Sequence, residues 1–144
     1  KLYLIFFVIL LSLAQHFFTL SFLGVKPNLI LVFLLSGSFF LEDFLFYLGL
    51  IFISYFLLRL EIFIDWPALI LAFLLITAYW LRRVLPWQSF FSFSVLVVMA
   101  TVSFYALVAP QFIFNSPSLL VGEILYNLVL GHIFFALGNK FLRV

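Results

Sequence analysis

A single bundle of six membrane-spanning α-helices, two of them short, is the fold class this sequence predicts, with five spans as the alternative. Three observations predict it. Of 144 residues, 68% are hydrophobic and only 8% charged, and mean hydropathy is +1.39. A water-soluble domain has nowhere to hide that much apolar surface, so the bilayer is the expected solvent. The apolar residues also fall into runs of helical length separated by proline, glycine and charged breaks, with very short connections. One polytopic domain covering 1–144 follows, with no space for a soluble catalytic domain.

The first run, LYLIFFVILLSLAQHFFTLSFLG, reaches Gly24. It exceeds the apolar core of a signal peptide and shows no small-residue cleavage site, so it reads as a retained span. Gln15 and His16 sit in its middle and need hydrogen-bond partners on neighbouring helices. Lys26-Pro27-Asn28 then interrupts the chain, because proline lacks an N–H and biases the preceding residue away from helix. A second helix is expected from about Asn28 through residues 29–41, and a third over 44–58. Each is short for a span. Fused, they would carry Glu42 and Asp43 near the centre of one long helix, at about 2.5–3.5 kcal/mol per acid. Two short helices with Glu42-Asp43 at a turn are therefore preferred, with Ser36-Gly37-Ser38 as a loosening point.

Arg59, Glu61 and Asp65 mark the next connection, and Trp66-Pro67 opens a fourth run that Arg82-Arg83 closes. Trp80 and Trp87 flank those arginines, the pairing expected of an anchor at a membrane–water boundary. A fifth run extends from Ser89 to Ala109, with Ser92, Ser94, Thr101 and Ser103 able to bond along the helix or across it. Pro110 ends it, and Gln111 to Asn115 read as a short outer turn. The sixth helix, Ser116 to Arg143, opens on Ser-Pro and closes with Lys140 and Arg143.

With six spans, Lys1, Arg82, Arg83, Lys140 and Arg143 share one side, against Lys26 and Arg59 on the other. Positive charge favours the cytoplasmic side, which puts the C-terminus inside. Five spans also split them five to two, with Lys1 and Lys26 moved to the opposite sides, so charge does not choose between the counts. The low number of charges also makes the calculated pI near 9.1 a sign of membrane-flanking cations rather than of nucleic-acid binding.

The sixth helix carries the sharpest candidates. At 100° per residue, Glu123, Asn127, Gly131 and Gly138 form one stripe of small and hydrogen-bonding residues. Small residues and side-chain hydrogen bonds drive helix association in lipid, where the hydrophobic effect does not. Glu123 either complements the helix dipole near its start or specifies a partner or ligand. His132 and Asn139 lie on a different face, which gives the helix two polar contacts, one inside the bundle and one towards a partner. Cysteine is absent, which removes disulfides and thiolate chemistry. With no phosphate-binding glycine loop, metal-spaced cluster or nucleophile–base set, neither an enzyme nor a cofactor is expected.

The opening, with Gln15 followed by Lys26-Pro27-Asn28-Leu29-Ile30-Leu31, resembles the rod shape-determining protein MreD family, where a Pro-Asp/Asn-Leu step starts the second helix. The closing GEILYNLVLGHIFFALGNKFLR, with Glu123 and Asn127 one turn apart, is similar to that family's last helix. The third helix departs from the family's Gly-Leu-x-x-Asp pattern and supplies only Gly49-Leu50. The resemblance implies a non-enzymatic subunit of the bacterial cell-wall elongation machinery in the cytoplasmic membrane. Its partners would be membrane lipids, an MreC-type scaffold, a polymerase and a transpeptidase. The family is also similar to the substrate-binding component of energy-coupling-factor vitamin transporters, which is the alternative. A small accessory subunit of a respiratory complex is a third reading.

If Arg82 and Arg83 set the topology, replacing both with glutamine should redistribute a C-terminal reporter between the two sides of the membrane. A reporter that stays wholly on one side would take that role from them.

Overall fold

The computed structural model describes residues 2–17, 28–58, 66–85 and 89–141. Among these residues the chain forms seven helices and no strand: α1 (Leu2–Phe17), α2 (Leu29–Ser38), α3 (Phe44–Leu58), α4 (Trp66–Leu81), α5 (Ser89–Val108), α6 (Pro110–Asn115) and α7 (Pro117–Phe141). Lys1, Lys26, Pro27, Arg59, Glu61, Asp65, Trp87 and Arg143 lie outside the described residues, as do the end of the first run and the His16 side chain.

The break at Glu42-Asp43 is present. α2 stops at Ser38, where the backbone N–H groups of Phe40 and Leu41 both donate to the Gly37 carbonyl at 3.1 and 3.0 Å. Asp43 then starts α3, its carboxylate accepting the Phe46 N–H at 3.1 Å. An aspartate just before a helix satisfies donors that no earlier turn can reach. Ser36-Gly37-Ser38 does not loosen α2 but forms its last turn, with the Ser38 hydroxyl donating to the Leu35 carbonyl at 2.7 Å.

One expectation needs correction. Residues 111–115 are not a turn but belong to α6, a six-residue helix with Pro110 at its first position. Proline ends a preceding helix, yet its fixed φ also suits the first turn of the next. Pro117 opens α7 in the same way.

α2 lies at the centre. Nine of its ten residues are buried, and it packs against α1, α3, α4, α5 and α7. Ile30, Leu31, Leu34 and Leu35 meet Val8, Tyr47, Leu50, Leu75, Tyr79, Phe93 and Val97 in one core. α7 runs parallel to α2, pairing Asn127 with Asn28, Gly131 with Val32 and Gly138 with Phe40. α5 runs antiparallel to α7, pairing Tyr105 with Glu123, Thr101 with Asn127 and Ser94 with His132.

The glycines of α7 are required by this approach. A Cβ on Gly131 would stand 2.8 Å from the Phe93 ring and 3.0 Å from Val32, and one on Gly138 would fall inside contact distance of the Phe40 ring. Phe93 cannot give way, since it is fully buried and set against Phe39, Phe135 and His132.

The outside is apolar. Phe6, Phe52, Phe56, Phe73, Phe90, Leu125 and Val129 are all exposed. Two helices, Phe90–Val108 and Pro117–Lys140, are long and apolar enough to cross a membrane. The core helix of a soluble protein would be mostly buried, whereas these windows are 33% and 22% buried, so their apolar faces point outward. Four further apolar helices are shorter.

Overpacking a tight contact costs about 1–3 kcal/mol. Gly131→Ala should lower the thermal midpoint of the purified chain by that measure, followed by circular dichroism in detergent. Gly49→Ala, where a Cβ meets nothing within 4 Å, should leave it unchanged or higher. Equal behaviour of the two would remove Gly131 from the packing account.

Candidate functional site

Ten residues make α2 about 15 Å long, half a hydrocarbon core. Its start lies against α1 and α7, and a buried backbone donor left without an acceptor there would cost about 1–3 kcal/mol. Side chains from two helices, α1 and α7, and from Asn28 meet these donors. The Asn28 N–H donates to Asn127 Oδ1 at 3.2 Å. The Ile30 N–H donates to Gln15 Oε1 at 3.1 Å. The Leu31 N–H donates to Asn28 Oδ1, also at 3.1 Å. Asn127 in turn donates through Nδ2 to Thr101 Oγ1 at 3.2 Å. Thus α1, α5 and α7 are tied to one turn of α2.

Glu123 sits one turn before Asn127 and is 5% exposed. It faces the bundle, where the Tyr105 hydroxyl donates to its Oε2 at 2.5 Å. Tyr105 is backed by Phe112 of α6, ring centroids 4.7 Å apart. The α6 segment thus orients the donor that satisfies the buried acid.

Of the residues singled out from sequence, Gln15, Glu123, Asn127 and Gly131 converge on this region. His132 does not. Its polar contact is made to α5, which meets α7 at both Glu123 and His132, while Asn139, on the same face as His132, is exposed. Ser94 Oγ lies 3.2 Å from His132 Nε2 and donates its own proton to the Phe90 carbonyl at 3.0 Å. Ser94 and His132 thus make a polar contact between α5 and α7, and among the described residues the buried Nδ1 has no partner. The imidazole stacks on Phe90 at 4.1 Å.

Arg82 and Arg83 stand at the far end of α2. Arg82 is more than a surface anchor: its Nη2 donates to the Leu41 carbonyl at 2.7 Å, clasping the α2–α3 turn. Burial holds its guanidinium below the usual range, while the neighbouring Tyr79 hydroxyl acts in the opposite sense. Trp80 is half exposed beside it, 5.7 Å from the Phe44 ring.

Asn28 and Thr101 were visible in the sequence only as a helix start and a hydroxyl, although Pro-Asn before an apolar run is a capping signature. Tyr105 carries no such signal, since its role arises from α5 lying against α7. Among the described residues no group of acids and histidines can hold a metal. The groove between α3 and α4, lined by Ile51, Ala68, Leu71 and Ala72, offers the Ser54 hydroxyl, which already donates to the Ile51 carbonyl at 2.8 Å. What the polar cluster does chemically is close the start of α2. Comparison with known proteins gives no matching family model, no matching curated protein and no matching solved structure.

Asn127→Leu strips an acceptor from the Asn28 N–H and should cost about 1–3 kcal/mol. Because Thr101 bonds through Asn127, adding Thr101→Val should cost little more, a non-additivity readable by a double-mutant cycle on denaturant titrations in micelles. Strict additivity would show that the two side chains act apart.

Proposed function

We propose that this chain is a non-catalytic subunit of a bacterial cell-wall elongation complex, which crosses the cytoplasmic membrane six times and offers an apolar helix face to an MreC-type scaffold. In this reading α1, α2, α3, α4, α5 and α7 are the spans. α6, six residues and about 9 Å long, is a surface turn of helix between two of them. α2 tolerates its short length because five helices wrap it. The end carrying Arg82, Arg83 and Lys140 faces the cytoplasm.

The observation that carries this reading is a contrast between the inside and the outside of α7. Inside, Gln15, Asn28 and Asn127 bond to α2 and Asn127 to Thr101, so these side chains are already committed to the fold. Outside, Val121, Leu125, Val129, Ile133 and Leu137 are all exposed, spaced four residues apart in a stripe that winds slowly around α7. Such a face suits a partner helix that approaches through van der Waals packing. The resemblance of the Pro27-Asn28 step and of the last helix to the MreD family supplies the identity of that partner.

One observation favours the vitamin-transporter alternative. A helix that begins inside a bundle beside a buried acid is how several transporters build their substrate sites. Here the donors of that helix already bond protein side chains, which leaves Glu123 as the remaining candidate ligand group.

A photo-crosslinking residue at Leu125 or Val129 should capture the scaffold protein in rod-shaped cells, and one at the buried Leu35 should not. Capture of an ATPase module instead, or a vitamin retained by the purified chain, would replace this reading with the transporter. Glu123→Gln keeps an acceptor for Tyr105 and should leave scaffold co-purification within about twofold of wild type, a difference under roughly 0.5 kcal/mol. Loss of co-purification would give the charge itself a role.

A further inference from the structure

At the end of the bundle opposite the polar cluster, unpaired charges of both signs share one corner. Arg83 Nη2 donates to the Tyr79 hydroxyl at 3.2 Å, and its guanidinium lies 5.1 Å from the Trp80 ring. Arg82 lies 4.4 Å from the Tyr79 ring centroid, so two cations flank one buried phenol. The Tyr79 hydroxyl donates to the Glu42 carbonyl at 2.6 Å, which brings Glu42 into the same corner. Among the described residues, neither arginine pairs with a carboxylate. The exposed Glu42 side chain likewise has no partner among them, and Arg82 Nε is buried without an acceptor.

Two guanidiniums without a counter-ion complement a phosphate, which accepts from several N–H donors at once. A carboxylate beside them complements an ammonium. The depth is marked by Trp80, 52% exposed, and by the exposed Leu45 and Val84 on either side, an amphipathic ring between apolar neighbours as at a headgroup boundary. We propose that this corner binds the headgroup of a phosphatidylethanolamine-type lipid, its phosphate on Arg83 and Arg82 and its primary ammonium on Glu42. Through Arg82 and Leu41, the bound lipid would brace the turn that ends the central helix.

This inference rests on reading the Arg82-Arg83 end as a membrane boundary, and its test keeps the two apart. The full chain in detergent is offered equal amounts of phosphatidylethanolamine, phosphatidylglycerol and phosphatidylcholine, and retained lipid is counted by native mass spectrometry. One phosphatidylethanolamine per chain is expected, at least fivefold over the others. Arg83→Gln should lower its retention severalfold, and Glu42→Gln should bring it down to that of phosphatidylglycerol. Both side chains are exposed, so helicity and elution should not change; Arg82 is left intact because it holds the Leu41 carbonyl. Phosphoethanolamine without acyl chains should not bind at the same concentration, and binding as strong as the lipid's would overturn the assignment to a lipid. Equal retention of all three lipids, or variants that bind like wild type, would overturn the site while leaving membrane insertion, measured separately by carbonate extraction, as it stands.

Discussion

A helix that begins in an apolar interior must find acceptors for its first N–H groups, and this constraint governs the arrangement of the bundle. Each one left bare costs as much as a well-made contact returns. The chain meets the demand with two amides from distant helices, Gln15 and Asn127, and one from the cap itself, Asn28. Each amide can reach only if its own helix is held at the right height. The start of α2 therefore registers α1 and α7 against each other, and through Thr101 it registers α5 as well.

The far end of α2 is held differently. There the open groups are carbonyls, so the partners are donors: Arg82 on the Leu41 carbonyl and Tyr79 on the Glu42 carbonyl. Between the ends, close contact replaces hydrogen bonding. Gly131 and Gly138 let α7 approach until Phe93, Val32 and Phe40 fill the space where side chains would stand. Aromatic rings then occupy the wider gaps, with Phe39, Phe93 and Phe135 in mutual contact.

A bundle organised this way turns its polar chemistry inward and its apolar surface outward. That division suits a protein whose work is done by its outer faces, and it gives α7 two roles. One side of α7 locks the interior while the other is presented to whatever lies alongside. At the corner of Arg82, Arg83 and Glu42, polar groups of both signs lie together near the surface.

Much of this was legible in the residues alone. The turn at Glu42-Asp43 followed from the penalty of placing two acids in mid-helix, the start of α2 from Pro27-Asn28, and the buried stripe of Glu123, Asn127, Gly131 and Gly138 from helical spacing. Pro110 misled, because a proline that ends one helix also begins another well. Three-dimensional packing alone decided what those polar residues touch. Sequence spacing reports which residues share a face, but hydrophobic helices of similar composition give no signal about which faces meet. So Tyr105 as the partner of Glu123, His132 against Ser94, and Arg82 on the Leu41 carbonyl all depended on how the helices cross.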